Sequence, residues 1–143
     1  MKGHADGMGE IEEIEFNSDT NLRSAAVMAG MRVRRFSYDL EQKRWSEPLD
    51  HTLDAERTLV LVFGAPELID DPSPLGELRR IYPKAHLIGC SSAGEIAGPA
   101  VRDHSLSVSV TRFEKTTLAT AVVEVSSMAG SHAAGQQLAR KLA

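Results

Sequence analysis

Leu59-Val60-Leu61-Val62-Phe63 and, after a connection of about twenty residues, His86-Leu87-Ile88-Gly89-Cys90 are the two runs whose reading decides the fold. The first is continuously apolar, the pattern of a strand buried on both faces. Gly64-Ala65-Pro66 ends it. The polar loop Asp70-Asp71-Pro72-Ser73-Pro74 then suits a helix start. Leu75, Leu78 and Ile81 fall at helical spacing, and Pro83 stops the helix before the second apolar strand begins. Strand, helix, strand with this spacing is the signature of a right-handed parallel βαβ unit.

Upstream, Met31 to Asp39 reads as a strand. Its Arg32, Arg34 and Arg35 read as a solvated edge, because the flanking segments are acidic. A polar stretch follows in which Trp45 is the one large apolar residue. Asn21 to Ala29 reads as a short Ala-rich helix, with cap chemistry at Ser18-Asp19 and a stop at Gly30. Residues 1–19 hold Lys2 against Asp6, Glu10, Glu12, Glu13, Glu15 and Asp19, with three glycines. They are expected to be an acidic flexible arm ahead of a folded body over 20–143.

Downstream, Leu106, Val108 and Val110 alternate with Ser105, Ser107, Ser109 and Thr111, a strand with one wet face. Leu118 to Val125 reads as a second alternating strand, and the two predict an antiparallel hairpin turned at Phe113–Thr116. Ser131 caps a last helix with Ala134, Leu138 and Leu142 on one face. That helix runs to Ala143 without a stop signal, the pattern expected of an incomplete domain. The expected class is α/β: a mixed sheet with a parallel βαβ unit followed by an antiparallel hairpin, helices packed on the sheet.

The 143 residues carry 16 Lys+Arg against 20 Asp+Glu, a net charge of −4, which argues against a nucleic-acid-binding role. Cys90 is the single cysteine, so no internal disulfide and no multi-cysteine metal site can form. The longest apolar run is strand-sized and the N-terminus shows no signal-peptide core, so neither a membrane span nor secretion is expected and the location reads as cytoplasmic.

Special residues are densest in Ile88-Gly89-Cys90-Ser91-Ser92-Ala93-Gly94-Glu95-Ile96, at the carboxyl end of the second parallel strand, where open α/β sheets bind ligands. Gly64, Gly89, Cys90, Ser91, Ser92, Ala93, Gly94 and Glu95 are therefore the candidate ligand-binding residues. Small residues allow close backbone approach, Gly94 can take a positive φ, and exposed N–H groups with the serine hydroxyls can hold a carboxylate or phosphate. The bland alternative is a tight turn whose serines satisfy their own backbone. Glu95 either orients a ligand amine or caps the turn.

No catalytic site is read here. A nucleophile elbow would need glycine where Ala93 stands. A P-loop would need lysine where Glu95 stands, and a negative charge there disfavours phosphate. Cys90 as a nucleophile would need a histidine beside it. His86 is about 13 Å away along an extended strand, His104 would have to fold back, and Cys90 reads as a small buried core thiol. His4, His51, His86, His104 and His132 show no metal-ligand spacing.

The runs Thr58–Gly64, Tyr82-Pro83-Lys84-Ala85, Ile88–Ile96 and Val101-Arg102-Asp103-His104-Ser105-Leu106 together resemble the N-terminal domain of the FIST family (F-box and intracellular signal transduction) over about residues 31–125. Gly89-Cys90-Ser91-Ser92-Ala93-Gly94-Glu95-Ile96 is the most specific match. The resemblance implies a non-catalytic sensory domain of bacterial signal transduction. Its partner would be a signalling protein such as a histidine kinase or cyclic-dinucleotide enzyme, and its ligand amino-acid-like. Some members are haem proteins, so a haem cofactor is admitted by resemblance alone, and members normally continue into a C-terminal FIST domain. The runner-up reading is a protein-interaction scaffold without a small-molecule ligand.

Overall fold

In the computed structural model, residues 26–28, 30–97 and 100–143 are described. Their strands are β1 (Ala26–Met28), β2 (Met31–Asp39), β3 (Arg44–Trp45), β4 (Thr58–Gly64), β5 (His86–Ser91), β6 (Glu95–Ala97), β7 (Ala100–Arg102) and β8 (Ser105–Phe113). The helices are α1 (Ser73–Ile81) and α2 (Ser131–Leu142). The main sheet runs β1-β2-β8-β4-β5, with β3 paired to β2, while β6 and β7 form a separate hairpin. Only β4 and β5 are parallel, joined through α1 as the βαβ unit requires; the other pairings are antiparallel. The structure is thus a mixed α/β sheet.

β8 sits between β2 and β4 because one face of each strand is apolar in matching register. Phe36 pairs with Val108 and Val108 with Val62; Val110 pairs with Val60, and Leu106 with Tyr38. These residues bury one face of the sheet against Leu78 of α1, Tyr82, Leu68 and Leu53. Each fully buried aliphatic or aromatic side chain contributes about 1.5–3 kcal/mol by leaving water, so this layer is the main source of stability. Proline suits the first turn of α1, and Tyr82 closes it, its N–H donating to Leu78 O at 2.8 Å.

Tyr82 is 2% exposed, and among the described residues its hydroxyl makes no hydrogen bond of good geometry. Burial pushes its pKa from 10.0 up to about 12. The folded chain therefore keeps a proton that the unfolded chain releases near pH 10. Stability from this group is intact below about pH 10 and falls by roughly 1.4 kcal/mol per unit as pH rises towards 12. Urea unfolding followed by Trp45 fluorescence at about pH 8 and about pH 11 checks this. Tyr82→Phe should lose most of the alkaline decline and be at least as stable near neutrality, because it deletes a poorly bonded buried hydroxyl. An equal decline in both chains would contradict the assignment.

Several expectations are corrected. Ala26–Met28, expected as helix, pair with Val33–Met31 as a strand, since the tight turn at Gly30 (φ 93°) folds them back on β2; residues 1–25, with the rest of that helix and the acidic arm, lie outside the described residues. β2 is an edge only in its middle: β8 pairs along its whole length, β1 covers Met31–Val33 and β3 Tyr38–Asp39. Arg32 therefore lies between two strands, Arg35 is exposed, and Arg34 is half-buried with its guanidinium 2.7 Å from Glu47. β4 is buried on one face only. Val60 and Val62 face the core, while Leu59 and Leu61 are half-covered and Phe63 is 45% exposed. The antiparallel hairpin after the βαβ unit is β6–β7, not Ser105–Thr111 with Leu118–Val125; that second segment forms no strand, since the ladder positions beside β8 are taken by β2 and β4. The last helix forms as expected, Ser131–Leu142, with none of its residues fully buried.

Candidate functional site

β4 and β5 end side by side at Gly64 and Ser91, and the chain turns through Ser92–Gly94 into β6. The turn is anchored where the Ser92 N–H donates to Gly64 O at 2.9 Å, and the Ala65 N–H donates to Ser105 O at 3.0 Å. Glu95, the first residue of β6, is 1% exposed. Its carboxylate accepts from the Ser92 hydroxyl at 2.8 Å and the Ser105 hydroxyl at 2.9 Å. A buried carboxylate requires hydrogen bonds or a counter-charge. The two serines satisfy one lone pair on each oxygen and leave acceptor capacity over.

Between this turn and the sheet face that carries Phe63 lies a cleft of about 480 Å³ lined by Arg35, Phe63, Ser92, Gly94, Glu95, Ser107, Val108 and Ser109. That size suits a small metabolite. Arg35 pairs with Ser109 and Phe63 with Ser107 across the ladders, so β2, β8 and β4 bring a guanidinium, hydroxyls and an aromatic ring to one face. Arg35 has no ion pair among the described residues. A smaller recess of about 190 Å³ shares Ser92, Gly94 and Glu95 and is lined further by Ala93, Glu67, Asp103 and His104. There the His104 Nδ1 lies 2.9 Å from Glu67 Oε1, with His104 in the left-handed region at φ 52°.

The eight candidate residues are therefore split. Ser92, Gly94 and Glu95 line the cleft, and Ala93 the recess beside it. Gly64 is buried, and a Cβ there would collide with Leu68. Gly89 lets β5 approach β4, where a Cβ would meet the Val62 carbonyl oxygen. Cys90 and Ser91 are exposed on β5 and line neither cavity. Cys90 is thus no core thiol: β5 is the last strand of its sheet, so its end has no neighbour to bury it. Gly30 takes the positive φ open to glycine, at φ 93°.

Arg35, Phe63, Ser107 and Ser109 escape a motif-based reading because they belong to strands distant in sequence. Period 2 does place Arg35 with Val33 and Ser37, and the wet face of β8 is legible in its serines. What is lacking is the knowledge that β8 lies between β2 and β4. Among the described residues there is no cluster of three metal-ligating side chains and no helix long and apolar enough to cross a membrane.

The fold and site together are a mixed α/β sheet domain with a metabolite-sized cleft beside a buried carboxylate. The chain is a member of the FIST family: the FIST N domain matches it over residues 58–143. The match runs from β4 through α2 and leaves β1, β2 and β3 outside it. No curated protein and no solved structure matches the chain. The family is associated with sensory roles in signal transduction.

Proposed function

We propose that this domain senses a small zwitterion of the amino-acid class, bound in the cleft between the Ser92–Glu95 turn and the sheet, and passes its occupancy to a signalling partner. The observation that carries this reading is that one cleft is lined by the Arg35 guanidinium, which has no ion pair among the described residues, by the buried Glu95 carboxylate and by the apolar ring of Phe63. A guanidinium takes a ligand carboxylate bidentately, a carboxylate with spare acceptor capacity takes an ammonium, and an aromatic wall takes an apolar side chain. The donors expected on the turn's own backbone serve a different end, since the Ser92 N–H is already bonded to Gly64. A haem has less support: the cleft of about 480 Å³ is small for a porphyrin, and no histidine lines it.

Ligand binding shifts a partner only by its differential affinity for two states. The turn is suited to such a shift because Glu95 joins Ser92 on one side of it to Ser105 at the start of β8. Titration calorimetry with single α-amino acids tests the reading. Arg35→Ala should weaken binding by about 10-fold to 150-fold, the loss of one charge-assisted contact of about 1.5–3 kcal/mol. Its stability should change little, because Arg35 is exposed and makes no ion pair among the described residues. Unchanged binding in Arg35→Ala would move the carboxylate subsite elsewhere.

A further inference from the structure

β5 is the open edge of the main sheet, paired to β4 alone among the described residues. Its sequence His86-Leu87-Ile88-Gly89-Cys90-Ser91 carries neither lysine nor proline, the residues that ordinarily protect an edge from pairing. Ile88, opposite Leu61 in the ladder, is 44% exposed. Such an edge is a template for one more strand.

The chain supplies a candidate close by. Leu118–Val125 alternates as strands do but makes no ladder, and Val122 and Val125 are 79% and 55% exposed. It starts beside the edge: the Thr120 hydroxyl lies 2.9 Å from His86 Nδ1. Residues 114–119 have already crossed from the end of β8 past β4 and β5. That is three strand spacings, about 14 Å, within the reach of six residues. The Val122 carbonyl is meanwhile held by the Lys141 ammonium of α2 at 2.8 Å rather than by a backbone amide.

We propose that Leu118–Val125 is a strap that closes onto the open edge of β5, running parallel to it with Thr120 opposite His86. This register puts Val122 beside Ile88 and Glu124 beside Cys90 on one face, and Val123 beside Gly89 on the other. Closure exchanges the Lys141 contact for ladder hydrogen bonds and takes the exposed Ile88 and Val122 out of water together. It adds the seventh strand to the main sheet and does not depend on what the cleft binds.

The single native cysteine makes the register testable. In neighbouring strands, opposed residues on one face lie within disulfide reach, whereas a shift of one residue points the side chain away. Glu124→Cys and Val123→Cys are oxidised separately in the whole chain with oxidised glutathione, and loss of free thiol is followed by gel mobility and thiol titration. Glu124→Cys should form an intrachain bond with Cys90 about tenfold faster than Val123→Cys. Equal rates in the two variants, no bond in either, or a bond formed only between chains would overturn the proposal.

Discussion

Gly89→Ala should cost more than about 3 kcal/mol, a large part of the 5–15 kcal/mol that holds a domain of this size folded. A Cβ at Gly89 would drive into the Val62 carbonyl oxygen and sit 3.0 Å from both its carbonyl carbon and its Cβ. Two of these are backbone atoms within the β4–β5 ladder, so no rotamer change relieves the clash. β5 must separate from β4, and six register pairs from Leu59–His86 to Gly64–Ser91 are disturbed. Gly76→Ala is the contrasting case. Gly76 lies within α1 with nothing within 4 Å of an added Cβ, so alanine should stabilise by about 0.5–1 kcal/mol through helix propensity and a less free unfolded chain. Urea midpoints read from Trp45, the one tryptophan, should move in opposite directions for the two variants. Tolerance of alanine at position 89 would mean that β5 is not held against β4 as described.

Glu95→Ala should be the second large effect, costing about 2–4 kcal/mol. It empties a buried volume and strips the Ser92 and Ser105 hydroxyls of their acceptor, with Ser105 itself 3% exposed. The turn loses its tie to β8. Glu95→Gln separates the structural from the electrostatic contribution. An amide can still accept from one serine and donate to the other, because a hydroxyl serves in either role. Its stability should stay within about 1 kcal/mol of the parent. Amino-acid binding, however, should fall at least about tenfold, because the ammonium loses its charged partner. Denaturation and calorimetry on the same two variants decide the matter. A Glu95→Gln chain that binds as tightly as the parent would leave Glu95 a structural residue only.

The sequence is most legible where the information is local. The apolar run Leu59–Phe63, the Leu75, Leu78, Ile81 spacing and the stop at Pro83 mark β4, α1 and β5 because each lies within one element. Sheet order is not local. β8 enters between β2 and β4 through pairings such as Phe36 with Val108 and Val108 with Val62, which are 72 and 46 residues apart, and no short-range pattern encodes them. That is why Arg35 reads as solvated edge and yet lines the cleft. The same limit separates Leu118–Val125 from its alternation: the period is that of a strand, but a strand also needs a free neighbour. Glu95 is an intermediate case. Its place in the turn is plain in the sequence, whereas its burial rests on Ser105, ten residues on, after the β6–β7 hairpin has folded back.

The most direct test of the central claim is a thermal-shift comparison of free α-amino acids with the same compounds blocked at one end. N-acetyl derivatives lack the ammonium meant for Glu95, and methyl esters lack the carboxylate meant for Arg35. A ligand at about 100 times its Kd adds about 2.7 kcal/mol, a rise of several degrees in Tm for a domain of this size. The account predicts that at least one free amino acid raises Tm by that amount and that both of its blocked forms fail to do so. Blocked forms that stabilise as well as the free one, or no shift with any amino acid, would contradict it.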